Sequence, residues 1–155
     1  MTTETTVAAR VSHRFTASPE QVFDAWLDPE KVMRWMAAVR EMGAPGEMVR
    51  VSIDARVGGR FSFVDLRDDE EVDHVGEYLE IDRPRRLVFT WSVPRYSPDV
   101  DRVVVEIAPL ETGCELTLTH ELHPDWADYL DRTERAWALM ITAIGLILAE
   151  DSGEA

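Results

Sequence analysis

Hydrophobic and polar positions alternate from the first ordered-looking stretch of the chain. In "VAARVSHRF" (7–15), Val7, Ala9, Val11, His13 and Phe15 share one face. A period of two is the mark of a strand. The period then changes. "SPEQVFDAWL" offers Ser18 as N-cap, Pro19 at the first helical position and Gln21 at N3, a capping box. Val22, Phe23, Trp26 and Leu27 give it an apolar stripe. "DPEKVMRWM" repeats the device with Asp28 and Pro29, so a second short helix starts at once. "AAVREMGAPGE" reads as a Gly/Pro loop.

Strand patterns fill the next 75 or so residues. The expected segments are "EMVRVSIDARV" (47–57), a turn at Gly58-Gly59, and "RFSFVDL" (60–66). "RDDEEVD" reads as a charged turn. "HVGEYLEI" (74–81), "RLVFTWSV" (86–93), "RVVVEIAPL" (102–110) and "CELTLTHEL" (114–122) follow. The last element is a helix over 125–149, apolar at Trp126, Leu130, Trp137, Met140, Ile141, Ile144 and Leu148. The order β-α-α-β6-α predicts an α+β arrangement, with about seven antiparallel strands covered by one long helix. The length suits one domain over 1–155, with a frayed tail over 150–155.

The final helix raises a question of its own. From Ala136 to Ala149 every residue except Thr142 and Gly145 is apolar. A membrane-spanning helix needs roughly 20 apolar residues. This run is shorter and is bounded by Glu134, Arg135, Glu150 and Asp151, so it reads as core or pocket wall.

Charge narrows the partners. Thirty acids against 16 bases give a net charge of −14. No positive patch suited to phosphates is visible, which argues against nucleic acid and anionic membrane surfaces. The single cysteine, Cys114, excludes an internal disulfide and points to a reducing, cytoplasmic setting. No signal peptide is evident in "MTTETTVAAR". Lys31 is the one lysine among the bases and Asn is absent, a bias that suggests a GC-rich bacterial genome.

Several strings resemble, in order, the START/Bet v 1-like (SRPBCC) superfamily, and within it the branch named for the activator of Hsp90 ATPase homologue. They are "SPEQVFDAWLDPEKVMRWM", "ARVGGRFSF", "GEYLEIDRPRRLVFTW" and "RTERAWALMITAIGLIL", and they span nearly the whole chain. The resemblance implies a helix-grip fold, in which a curved sheet grips the C-terminal helix and leaves a cavity between them. Two departures bear on that cavity. Ala136-Trp137 stands where the family usually has Gly-Trp, and Trp35-Met36 where it often has a Trp pair.

Candidate chemistry follows from strand phase. On 114–122, Leu116, Leu118, His120 and Leu122 share a side, so His120 is expected to face the cavity. His13 does likewise on the first strand. The first and last strands are neighbours in the helix-grip fold, which implies that the two histidines approach. Glu77 alternates with Val75, Leu79 and Ile81 and is also expected inward; Asp65 is in phase with Phe61 and Phe63. His120, Glu77 and His13 are therefore the candidate acid–base groups. The expected ligand wall is Trp35, Phe61, Phe63, Phe89, Trp91, His120, Trp137, Met140 and Ile141. Gly145 fits either close packing or room for a ligand. "HELH" (120–123) lacks the spacing and helical setting of a zinc site, so neither metal nor cofactor is expected.

Three readings remain open at this stage. The first is binding of a hydrophobic small molecule: a lipid, polyketide or aromatic metabolite. The second is a cyclase or dehydratase-like enzyme using His120 in the same cavity. The third is a co-chaperone-like or stress-related protein-interaction module. The oligomeric state is open.

Overall fold

The computed structural model describes residues 6–43, 46–96 and 99–151. Strand β1 (Val7–Phe15) leads into helices α1 (Pro19–Ala25) and α2 (Pro29–Glu41). Strands β2 (Glu47–Ile53), β3 (Arg60–Arg67), β4 (Glu70–Asp82), β5 (Arg86–Trp91), β6 (Asp101–Pro109) and β7 (Cys114–Leu122) follow. A 3-10 turn (Pro124–Tyr129) runs into α3 (Leu130–Asp151).

All seven strands form one antiparallel sheet in the order β1-β7-β6-β5-β4-β3-β2. The chain leaves one edge at Phe15 and re-enters the sheet at the other edge at Glu47. Helices α1 and α2 make that crossing, and α2 packs on α3. The caps match the sequence signals. Ser18 Oγ accepts from the Gln21 N–H at 3.2 Å and the Gln21 side chain accepts from the Ser18 N–H at 3.0 Å. The Asp28 carboxylate caps α2 through the Glu30 N–H. Such caps contribute about 1 kcal/mol each.

Several boundaries differ from expectation. The last helix, expected from 125, begins at Leu130 because Pro124–Tyr129 form the 3-10 turn, and β5, expected to 93, stops at Trp91. Helix α2 continues through 37–41, which read as loop. Strand β2 stops at Ile53 because Asp54 and Arg56 hold a local turn, with the Arg56 N–H donating to the Asp54 carbonyl at 2.8 Å. The "RDDEEVD" stretch turns only at Asp68 and Asp69, both at positive φ. Short Asp side chains tolerate that conformation, so β3 and β4 extend to Arg67 and Glu70 as a two-residue hairpin. Helix α3 runs on through Glu150 and Asp151, past the expected end at 149, and Asp151 is clamped by Lys31 at 3.0 Å and Arg34 at 2.9 Å. Residues 152–155 lie outside the described residues.

Strand β4 carries the feature that most affects the site. Its register with β5 slips between Tyr78 and Glu80. Tyr78 pairs with Phe89 and Ile81 with Leu87, so both face inward although they are three residues apart. A bulge inserts one extra residue and reverses the side-chain alternation beyond it. Before the bulge the inward positions are Val72, His74, Gly76 and Tyr78; Leu79, at the slip, is exposed.

Two glycines make opposite predictions. A Cβ on Gly76 would lie 1.9 Å from the Thr90 carbonyl oxygen and 2.4 Å from the Phe61 ring, which covers this position from β3. A Cβ on Gly145 would meet Phe15 at 3.5 Å and His13 at 3.8 Å, ordinary contact distances. Gly145 therefore sits against β1, not in an open space. Urea unfolding of Gly76→Ala should show a loss of about 1–3 kcal/mol. Gly145→Ala should gain up to about 1 kcal/mol, the helix-propensity difference. Equal effects at the two sites would contradict this packing.

Candidate functional site

The sheet's concave face divides into a filled part and an open part. In the filled part Phe61, Phe63 and Phe89 pack with Trp26, Trp35 and Tyr78, leaving only about 10 Å³. Trp35 belongs here, with its indole N–H donating to the Ala25 carbonyl at 2.9 Å. Ile141 is fully buried in the same core. The open part is a cavity of about 910 Å³ between α3, the end of α2 and strands β2 to β7. Its size is that of a small-molecule site.

Of the nine residues expected to form a ligand wall, Trp91, His120, Trp137 and Met140 line this cavity. Trp35, Phe61, Phe63, Phe89 and Ile141 do not; they fill the core behind it. Trp91 and Trp137, 5.0 Å between ring centres, border both parts and form the partition. The two departures from the family pattern fall on the cavity side: Met36 and Ala136 both line it.

The candidate acid–base groups separate. His120 is buried at the cavity wall, and both its ring nitrogens are engaged. The Trp137 indole N–H donates to Nδ1 at 2.8 Å, and Nε2 lies 2.9 Å from Asp101 Oδ2. An indole N–H can only donate, so Nδ1 is the acceptor and the proton sits on Nε2, pointing at Asp101. His13 does not approach His120. Strand pairing sets Ala9 opposite His120 and His13 opposite Leu116. Four residues of strand separate them by roughly 13 Å. His13 instead lies on Phe15, 4.7 Å between ring centres, under Gly145. Partial burial lowers its pKa from the ordinary value.

Glu77 points away from the cavity. It pairs with Arg60 on β3, and its strand position is out of phase with His74 and Tyr78. The expected phase of Val75, Glu77, Leu79 and Ile81 was carried back from Ile81 through the bulge, which inverts it. The residue that takes the inward place is His74. It is buried beside Trp91, with ring centres 5.4 Å apart, and its Nδ1 is 3.0 Å from the Phe63 carbonyl. The carbonyl accepts, so Nδ1 carries the proton and the neutral ring keeps a lone pair on Nε2. Gly76 and Tyr78, in step with His74, were the sequence signal for this phase. Asp101, at the first position of β6, and Ser92, just past β5, were also missed because they lie where strand patterns end.

Asp65 lines the cavity as its phase implied. It is 5% exposed, and its Oδ2 accepts from Arg67 at 3.0 Å. Its Oδ1 is buried and has no hydrogen-bond partner among the described residues. The loop at Gly46 closes over it, since a Cβ there would lie 2.4 Å from Oδ2.

Other chemistry is absent or masked by packing. The Cys114 thiol donates to the Ala17 carbonyl, and burial pushes its pKa up to about 11. His123 caps the 3-10 turn through the Asp125 N–H, so the two histidines of "HELH" serve different partners. Among the described residues no three His, Cys, Asp or Glu side chains are grouped to hold a metal ion. No helix among them is long and apolar enough to cross a membrane.

The model of the Activator of Hsp90 ATPase homolog 1-like protein family matches residues 16–149. The chain belongs to this family. Solved members of the same fold agree with the architecture. A Nitrosomonas europaea protein is 20% identical, with 94% of this chain and 96% of that one covered and a TM-score of 0.78. A Staphylococcus aureus protein of unknown function is 18% identical, with 97% and 98% covered and a TM-score of 0.80. An HSP90 activator from Plasmodium falciparum is 24% identical, with 92% and 96% covered and a TM-score of 0.70. At such identities the likeness shows the shared fold. No curated protein matches the chain in sequence.

The surroundings of His74 make a pH prediction. Burial pushes its pKa down, against the opposing pulls of the Phe63 carbonyl and the Asp65 charge. The unfolded chain, with an ordinary value near 6.5, binds the proton first as pH falls. Stability is therefore full above about pH 6.5 and declines as pH falls toward the folded-state value. In urea titrations between pH 7.5 and 5, His74→Gln should lose stability less steeply than the parent, by up to about 1.4 kcal/mol per pH unit. Parallel curves would remove His74 from this role.

Proposed function

We propose that this protein binds a small, largely apolar molecule in the cavity under α3. One observation carries the reading. Asp65, His74, Ser92 and His120 are the buried polar or charged side chains of the described core, and all four line this one cavity. Burying polar groups costs free energy, and folded proteins keep them satisfied. Placing them together around an open volume suits a site that orients a guest, and a packed core has no need of it. Trp91, Trp137 and Met140 supply the apolar surface, and Met36 and Val39 of α2 face it from the opposite side.

The enzyme reading loses its expected machinery. His120 has no free nitrogen to offer a substrate, and Glu77 is outside the cavity. The protein-partner reading draws on the fold shared with the Plasmodium falciparum HSP90 activator. It gives no role to the cavity's buried polar groups, so binding is the reading adopted. The buried lone cysteine agrees with work in a reducing, cytoplasmic setting.

Ala136 lies at the cavity lining on the exposed side of α3, so a large side chain there fills the space without disturbing the core. Nile red, a neutral apolar dye, should bind the parent with enhanced emission. Ala136→Trp should weaken that binding at least about tenfold with an unchanged thermal midpoint. Undiminished binding to the variant would place the dye elsewhere and count against the cavity.

A further inference from the structure

The deep wall of the cavity holds acceptors that no donor among the described residues satisfies. Several of its deep donors are engaged within the protein, whereas no hydrogen bond among the described residues engages the Trp91 indole N–H. The Trp137 N–H goes to His120, the His120 N–H to Asp101, the His74 N–H to the Phe63 carbonyl, and the Arg67 guanidinium to Asp65. Acceptor capacity remains at three side chains. His74 keeps the Nε2 lone pair, and Asp101 keeps a second carboxylate oxygen beyond the one facing His120. Asp65 has an unpartnered Oδ1 at 5% exposure, covered by the Gly46 loop. Ser92 adds a hydroxyl of either polarity.

We infer that the cavity selects a neutral aromatic alcohol or phenol, whose hydroxyl donates to His74 Nε2 while its ring lies along Trp91 and Trp137. The inference rests on the binding role proposed above and names the chemistry of the guest. A hydroxyl supplies the donor that the His74 Nε2 lone pair can accept. A carboxylate at His74 Nε2 would meet an acceptor in place of a donor, in a wall that also carries the charges of Asp65 and Asp101. The ring wall fits this orientation: His74, Trp91, Trp137 and His120 succeed one another with ring centres 5.4, 5.0 and 6.0 Å apart. His74 is locked within that row by its own bond to Phe63, so the lone pair is held in place before any guest arrives. Arg40 and Arg132 also line the cavity, but they are exposed and sit at its rim. They are what an anionic guest with an apolar tail would use, so the test sets the two chemistries against each other.

Three rigid probes of one shape separate the outcomes: 2-naphthol, naphthalene and 2-naphthoate. Binding is followed by NMR titration of the full chain, through the Trp91 and Trp137 indole N–H signals. The expected order is 2-naphthol first, about three- to tenfold tighter than naphthalene, the range for one net hydrogen bond, with 2-naphthoate weakest. His74→Phe should bring 2-naphthol down to the level of naphthalene and leave naphthalene itself within about twofold. Should that variant fold poorly, the imidazole ¹⁵N signals of the parent give the same answer, because the His74 Nε2 resonance must shift with 2-naphthol and stay with naphthalene. Naphthalene binding as tightly as 2-naphthol, or 2-naphthoate binding tightest, overturns the inference and leaves the cavity's binding role standing. Binding of none of the three overturns both.

Discussion

A buried hydrogen bond from the Trp137 indole N–H to His120 Nδ1 joins helix α3 to the sheet at the point where core gives way to cavity. Both rings are nearly inaccessible to solvent, so each polar atom would be costly without the other. The bond also dictates the tautomer of His120 and turns its remaining N–H toward Asp101 on the neighbouring strand. One contact thus sets the depth of the helix, the protonation pattern of β7 and the orientation of a carboxylate at the cavity wall.

Trp137 does this while packing its ring on Trp26 and Trp91, at 6.0 and 5.0 Å between centres. The aromatic mass behind it is close to solid, whereas the space in front holds about 910 Å³. The greasy run of α3 therefore has two duties along its length. Ile141, Ile144 and Leu148 close the core, and Ala136, Leu139 and Met140 face the opening. At the far end Asp151 is held by Lys31 and Arg34 of α2, the helix whose last turns form the opposite side of the cavity. Exposed ion pairs of this kind contribute little each. Their effect is to fix the start of α2 against the end of α3.

The β4 bulge is the second constraint. By skipping one residue it lets both Ile81 and Tyr78 face the core, and it thereby sends Glu77 outward and His74 inward. Gly76, between them, makes room for Phe61 to cross the strand. Together these features change a strand that reads as presenting a carboxylate into one that presents a neutral imidazole. The resulting cavity keeps open acceptors on β3, β4 and β6, at Asp65, His74 and Asp101.

Much of the fold was legible along the chain. The capping signals at Ser18 and Asp28, the clean alternation of β1 and β7 and the length of the apolar run near the C-terminus depend on local geometry, and local geometry is written in neighbouring residues. The inward placement of His120 and Asp65 follows from the same alternation. The rest depended on contacts between segments far apart. Whether Phe61 and Phe89 meet a guest or one another depends on how closely α1 and α2 pack over the sheet. Which face Glu77 and His74 take depends on a register slip against β5, invisible in β4 alone. That His13 stays away from His120 is a matter of where along two paired strands each falls. The identities of the residues determined helices, strands and their faces; only the tertiary structure decided which aromatic rings became core and which became wall, because packing is settled by the summed fit of all segments at once.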